Sequence, residues 1–77
     1  MIGISAPYNF PCILIGGPKH GKIDRIAGIF KDEPVEEKLY PSDKKDTIIC
    51  YRPLMIKNKY AKLTTGHFVL YYDEKYK

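Results

Sequence analysis

The chain contains no tryptophan, only two cysteines and two histidines, and no apolar run that approaches a membrane-spanning length. A helix that crosses a bilayer needs about 20 apolar residues, whereas apolar runs such as residues 12–15 have the length of a buried strand. The first ten residues carry no positive cluster ahead of an apolar core, so they lack the pattern of a signal peptide. We therefore expect a cytoplasmic protein with no membrane partner.

The scarcity of cysteine and histidine limits the chemistry that the sequence predicts. Cys12 and Cys50 lie in apolar contexts outside any CxxC pair, which favours small buried hydrophobes, with a disulfide between adjacent strands as the alternative. His20 and His67 have no ligand partner at metal-binding spacing. No basic cluster adjoins either cysteine to lower its pKa. We predict no catalytic residue, no metal and no cofactor, and therefore no enzyme.

Arginine is also rare, and the chain is short. Arg25 and Arg52 are the only arginines among 13 basic residues, and 9 acidic residues leave a net charge of +4. That charge attracts nucleic acid or an acidic protein, although phosphate recognition usually relies on arginine. With 77 residues, residues 1–77 are expected to form one domain with a thin core, which a partner or self-association would support.

Aromatic and β-branched residues dominate the apolar segments, which favours sheet. Strands are predicted at residues 12–15, 22–30, 47–56 with a break at Pro53, and 67–72. The acidic segment 31–38 is the best helix candidate. The predicted fold is mainly β, or small α+β. It has one antiparallel or mixed sheet of three to five strands, with at most one short helix, and curling is one way to bury its apolar face.

One glycine-rich segment matches a known ligand-binding pattern. Gly16, Gly21 and Lys22 satisfy the spacing G-x-x-x-x-G-K of a phosphate-binding loop. However, Ile23 occupies the position that would hold magnesium, and Pro18 lacks an amide donor. We predict a structural turn, in which glycine supplies backbone angles that other residues resist.

Aromatic and basic residues alternate near the C-terminus. This pattern suits a stacking platform for single-stranded nucleic acid or a protein interface. We favour a third interpretation, in which alternate tyrosines pack inward while lysines keep a sheet edge soluble. The residues concerned are Tyr60, Tyr71, Tyr72 and Tyr76 with Lys57, Lys59, Lys62 and Lys75.

Residues 12–22 resemble the opening of many small uncharacterised bacteriophage proteins, in which a short strand precedes a Gly-Gly-Pro-x-Asp-Gly turn. Here the turn spans residues 16–21, with His20 where the pattern has aspartate. Tyr51 and residues 68–72 lie where those proteins carry later tyrosine-containing strands. The resemblance implies a β-rich phage protein in the host cytoplasm. Small phage proteins are commonly accessory factors that redirect a host enzyme, or minor virion parts.

These observations favour a non-enzymatic phage accessory protein that binds a host protein, with inhibition as one outcome. The alternatives are a small basic nucleic-acid-binding module and a virion or assembly component, which would form a homo-oligomer. The candidate binding residues are Lys19, His20, Lys22, Arg52, Lys57, Lys59, Tyr60, Lys62 and Tyr72.

Overall fold

A computed structural model describes residues 7–44 and 47–74, which contain eight strands and a 3-10 turn at Gly17–Lys19. Within these residues, no helix has the length and apolar character that crossing a membrane requires. The strands are β1 (Tyr8–Ile15), β2 (Ile23–Phe30), β3 (Glu33–Pro34), β4 (Lys38–Pro41), β5 (Ile48–Pro53), β6 (Met55–Ile56), β7 (Lys59–Tyr60) and β8 (Phe68–Tyr72).

Six of these strands form one mixed sheet in the order β3-β2-β1-β8-β5-β4. β1 pairs with β8 in parallel, and the other neighbours pair antiparallel. The prediction of a mainly β fold is confirmed, but three to five strands is too few. The difference arises at the two edges of the sheet, where the short strands β3 and β4 occupy a segment that lacks the alternating pattern of a longer strand.

The acidic segment 31–38 is not a helix, and that prediction is wrong. Asp32 adopts a positive φ of 59° in the turn after β2, and Glu33–Pro34 then pairs with β2. The N–H of Val35 donates to the carbonyl oxygen of Ala27 at 2.9 Å. A helix of one or two turns is marginal in water, whereas pairing with β2 satisfies the backbone and buries Pro34.

The sheet curls around a single core. Tyr40 of β4 reaches β2, where its hydroxyl donates to Asp24 at 2.5 Å, although three strands separate β4 from β2 in the sheet order. Each buried aliphatic or aromatic side chain stabilises the fold by about 1.5–3 kcal/mol. The buried cluster consists of Cys12, Leu14, Ile26, Ile49, Tyr51, Phe68 and Leu70.

Both cysteines are free and buried, as predicted. Cys12 belongs to the core, and the Sγ of Cys50 lies 4.0 Å from Glu37 Oε2. Burial raises the pKa of both thiols. Because the thiolate is the nucleophilic form, this environment lowers the reactivity of each cysteine.

The strands β6 and β7 form a separate hairpin whose two-residue turn has positive φ values of 52° and 63°. Backbone hydrogen bonds join it to the sheet: Leu54 N–H donates to Val69 O at 2.9 Å, and Val69 N–H donates to Ala61 O at 3.0 Å. Tyr60 of the hairpin packs edge-on against Phe68, with ring centres 6.1 Å apart. The hairpin is therefore fixed near the first residue of β8.

Candidate functional site

The hydroxyl of Tyr51 holds the glycine-rich turn between β1 and β2. It donates to the carbonyl oxygen of Gly16 at 2.6 Å and accepts the N–H of Lys19 at 2.9 Å. Tyr51 is fully buried, so these bonds attach the turn to the core. The exposed side chain of His20 adds a third bond, because its Nδ1 accepts the N–H of Gly16 at 2.7 Å.

The backbone amides of this turn are used within the protein. In a phosphate-binding loop such amides point towards the ligand, and here five of them donate internally at 2.7–3.3 Å. This hydrogen bonding supports the prediction of a structural turn. The five bonds run from Gly16 to His20 Nδ1, Lys19 to Tyr51 Oη, His20 to Gly17 O, Gly21 to Leu14 O and Lys22 to Lys19 O.

Gly17 brings the turn into close contact with Tyr72. Its φ is 68°, and a Cβ at this position would overlap the Tyr72 ring, so the site requires glycine. Tyr72 also packs against Tyr51, with ring centres 5.5 Å apart. The ring of Tyr72, a predicted binding residue, is therefore engaged in packing and only partly accessible.

Beside the turn lies a polar group that we call the Tyr40 cluster: Lys19, Asp24, Lys38 and Tyr40. The Nζ atoms of Lys19 and Lys38 lie 5.0 and 5.3 Å from the centre of the Tyr40 ring, within cation–π range. The hydrogen bond from Tyr40 lowers the pKa of Asp24, as does the charge of Lys38. Burial and the bond to Asp24 raise the pKa of Tyr40. The cluster holds two cations and one carboxylate.

An apolar surface surrounds Tyr60 near the other end of β8, and we call it the Tyr60 face. Four of its side chains are well exposed: Phe30 by 65%, Met55 by 48%, Ile29 by 44% and Tyr71 by 41%. Two adjoining clefts of about 330 and 250 Å³ share Tyr60 and Glu36. The face comprises Ile29, Phe30, Val35, Met55, Tyr60 and Tyr71.

A β-bulge explains why Ile29 and Phe30 are both exposed. Successive side chains of a regular strand point to opposite faces, which would turn one of the two inward. The pairing of β2 with β3 shifts register between Gly28 and Phe30, and a bulge of this kind redirects the side chains beside it. The apolar pair at the end of β2 thus becomes part of the surface.

Two carboxylates border the larger cleft. Glu33 and Glu36 are exposed, and neither forms an ion pair within residues 7–44 and 47–74. In contrast, the nearby acids Asp32 and Glu37 pair with a lysine at 3.3 Å and an arginine at 3.5 Å. The cleft therefore combines an apolar lining with two carboxylates that take part in none of the ion pairs of the described residues, on a chain whose net charge is +4.

A third cleft of about 450 Å³ carries more positive charge, because three lysines (Lys31, Lys59 and Lys62) line it with two acids (Asp32 and Glu33) beside Tyr60 and Phe68. The Nζ of Lys62 lies 4.7 Å from the centre of the Phe68 ring. Phe68 is only 2% exposed, so its face does not accept a stacked base. Tyr60 is the more accessible ring in this cleft.

The structure divides the nine predicted binding residues among three places. The turn holds Lys19, His20, Lys22 and Tyr72, and the hairpin or its flanks hold Lys57, Lys59, Tyr60 and Lys62. The ninth residue, Arg52, pairs with Asp73 at 2.7 Å and with Glu37 at 3.5 Å.

The tyrosines of β8 alternate between the two sides of the strand. Tyr72 packs inward while Tyr71 is exposed, in line with the alternate packing favoured from the sequence. Residues 75 and 76 lie outside the part of the chain that the structure describes.

Sequence reasoning missed most residues of these surfaces, among them Asp24, Phe30, Glu36 and Tyr40. Asp24 and Tyr40 meet because the sheet curls, and no local pattern indicates such a contact. A signal for Phe30 did exist, since two adjacent apolar residues before a charged segment break the alternation of a half-buried strand.

Comparison of the chain with models of protein families, with curated proteins and with solved structures found no match. Within the described ranges, no three residues of the types His, Cys, Asp and Glu come together as a metal site. The fold and surfaces define the class only as a small curled β-sheet protein with an apolar face and a basic aromatic cluster.

Proposed function

We propose that this chain is a non-enzymatic bacteriophage accessory protein that binds a host protein through the Tyr60 face. The observation that carries the proposal is the group of exposed apolar side chains there, above all Phe30 at 65% and Met55 at 48%. Large contiguous apolar patches on a monomer mark interaction sites, whereas apolar residues scattered singly are ordinary, and here the exposed residues line two clefts that share Tyr60. Inhibition follows where the covered host surface includes the host protein's own functional site.

The geometry favours docking on this face over pairing at a strand edge. The edge strands are short, and each contains a proline, Pro34 in β3 and Pro41 in β4. Proline has no N–H to donate, which protects an edge against pairing with another chain. A partner that contacts side chains is therefore better supported than one that adds a strand.

The proposal predicts that capture of a partner depends on Phe30. Immobilised wild-type protein and a Phe30→Ser variant are incubated with lysates of several bacteria, and retained proteins are identified by mass spectrometry. Ile23→Ser is the matched control, because Ile23 is 55% exposed at the opposite end of the same strand. We expect a stoichiometric protein with the wild type and the control but not with Phe30→Ser. Equal retention by all three proteins would contradict the proposal.

The Tyr40 cluster supports a second candidate function, binding of single-stranded nucleic acid. Lys19 and Lys38 flank a half-buried aromatic ring, and Lys22 lies close enough for its charge to lower the pKa of Asp24. Single-strand binders combine a positive surface with aromatic rings. The cluster provides that combination more directly than the lysines of the hairpin.

Two double variants of equal charge test this candidate by fluorescence anisotropy with a labelled single-stranded oligonucleotide. Lys19→Ala with Lys38→Ala should reduce the slope of log affinity against log salt by about 1.4, since each phosphate contact contributes about 0.7. Lys57→Ala with Lys59→Ala removes the same charge from the hairpin and should change affinity less. Equal losses would indicate only a general charge effect, and the absence of binding at low salt would remove this candidate.

A further inference from the structure

We infer that the partner inserts a single apolar side chain, flanked by lysine or arginine, into the larger cleft of the Tyr60 face. This inference rests on the proposed function and specifies the chemistry of the segment that docks. It follows from the size of the cleft, its rigidity and the charges on its rim.

The size and lining of the cleft suit one large side chain. Ile29, Phe30, Pro34, Val35 and Tyr60 provide an apolar lining, and the volume of about 330 Å³ is at the small end of ligand sites. An aromatic or long aliphatic side chain fits such a space, with the neighbouring residues of its segment lying across the rim.

The lining is held in place before a partner arrives. Pro34 is buried and its strand pairs with β2, while the N–H of Val35 bonds to Ala27 at 2.9 Å. On the opposite side, Tyr60 packs against the buried ring of Phe68. A preformed cleft binds with a smaller loss of conformational freedom.

The acidic residues at the rim of the cleft determine which charge the docking segment carries beside its inserted apolar side chain. Glu33 and Glu36 border the cleft, neither has an ion pair in the described residues, and no lysine or arginine lines the same cleft. Complementary charge favours a cationic neighbour on the inserted segment. The same carboxylates repel phosphate groups, so this cleft favours a basic peptide over nucleic acid.

Two small probes of opposite charge test the inference by NMR titration of the full, isotope-labelled chain. Phenethylammonium and 3-phenylpropionate carry the same ring on a two-carbon linker. At equal ionic strength, we expect the ammonium compound to shift the amide signals of residues 29–36 and Tyr60 and to bind about fivefold more tightly than the carboxylate. Equal affinities, or shifts confined to another surface, would overturn the inference.

Variants of the rim separate specific charge recognition from net charge. Glu33→Gln with Glu36→Gln should remove the preference for the ammonium probe, whereas Asp43→Asn with Glu74→Gln, which changes the net charge equally at two other exposed acids, should retain it. Phe30→Ser should weaken binding of both probes. A preference that persists in the Glu33→Gln, Glu36→Gln protein would overturn the inference.

Failure of the inference and failure of the proposed function give different results. If capture of a host protein requires Phe30 but is unchanged by the two rim substitutions, the proposed function stands and the basic segment is refuted. If capture does not require Phe30, the proposed function itself fails. A dimer in sedimentation that Phe30→Ser dissociates would identify a second copy of the chain as the occupant and would also overturn the inference.

Discussion

Replacing Tyr51 with phenylalanine tests how the glycine-rich turn is attached to the core. The substitution removes one hydroxyl group and leaves the buried ring in place, so the core keeps its packing. Gly16 loses the donor to its carbonyl oxygen, and Lys19 loses the acceptor for its N–H, at distances of 2.6 and 2.9 Å.

The magnitude of the effect follows from these two bonds. A hydrogen bond contributes a net stabilisation of about 0.5–1.5 kcal/mol, which gives about 1–3 kcal/mol for the pair. Both bonds are only partly buried, so water reaches the released groups and the lower half of this range is expected. For a domain of this size, about 1.5 kcal/mol lowers the melting temperature by roughly 6–12 °C.

Thermal and urea denaturation of Tyr51→Phe would measure this loss, with Tyr71→Phe as the matched control because Tyr71 is 41% exposed on β8. Amide chemical shifts should change mainly at residues 16–21. A loss below about 0.3 kcal/mol, or equal losses in the two variants, would refute the view that the Tyr51 hydroxyl fixes the turn.

Two further predictions concern the turn and the cluster beside it. Gly17→Ala should destabilise the fold by about 2–4 kcal/mol, because it combines strain at positive φ with overlap of Tyr72. Gly21→Ala is the control, because Gly21 has a φ of 85° and open space around it, and it should destabilise the fold by only about 1–2 kcal/mol. Equal losses of stability in the two variants, measured by urea denaturation, would contradict the close contact between Gly17 and Tyr72. Asp24→Asn should lower stability at neutral pH. The folded pKa of Asp24 is lowered, so its contribution is present above the ordinary value of 3.8 and is lost as the pH falls through the folded value. The difference in melting temperature between Asp24→Asn and the wild type should therefore shrink as the pH falls below the ordinary value of 3.8, and a difference that stays constant with pH would exclude this linkage.

The main strands were predictable because their sequences satisfy local rules. Residues 22–30 and 67–72 have the β-branched and aromatic content of strands, and the structure places β2 and β8 there. β1 begins earlier than predicted, at Tyr8, and passes through Pro11, which lies where only β2 is paired and β8 has not yet begun. Because the pairing of β1 with β8 begins only at Cys12, the N–H that Pro11 lacks is not needed for a hydrogen bond to β8.

The surfaces were less predictable, because they depend on contacts between distant segments. Lys19 and His20 could be grouped from their adjacency, but the ring of Tyr40 reaches Lys19 only through the curl of the sheet. The two acids at the rim of the larger cleft could not be predicted for a different reason. Residues 31–38 contain four acids. Only the structure shows that Asp32 and Glu37 form ion pairs, whereas Glu33 and Glu36 form none within the described residues.

The parallel pairing of β1 with β8 has a consequence for synthesis of the protein. Cys12 pairs with Phe68, 56 residues further along the chain, and both side chains belong to the core. During translation, β1 and β2 leave the ribosome long before the strand that completes the centre of the sheet. The core cannot close until β8 emerges, and pairing between segments this far apart in sequence is a feature that slows folding. Until then, one side of β1 remains an unpaired apolar edge, the state in which aggregation or capture by a chaperone competes with folding.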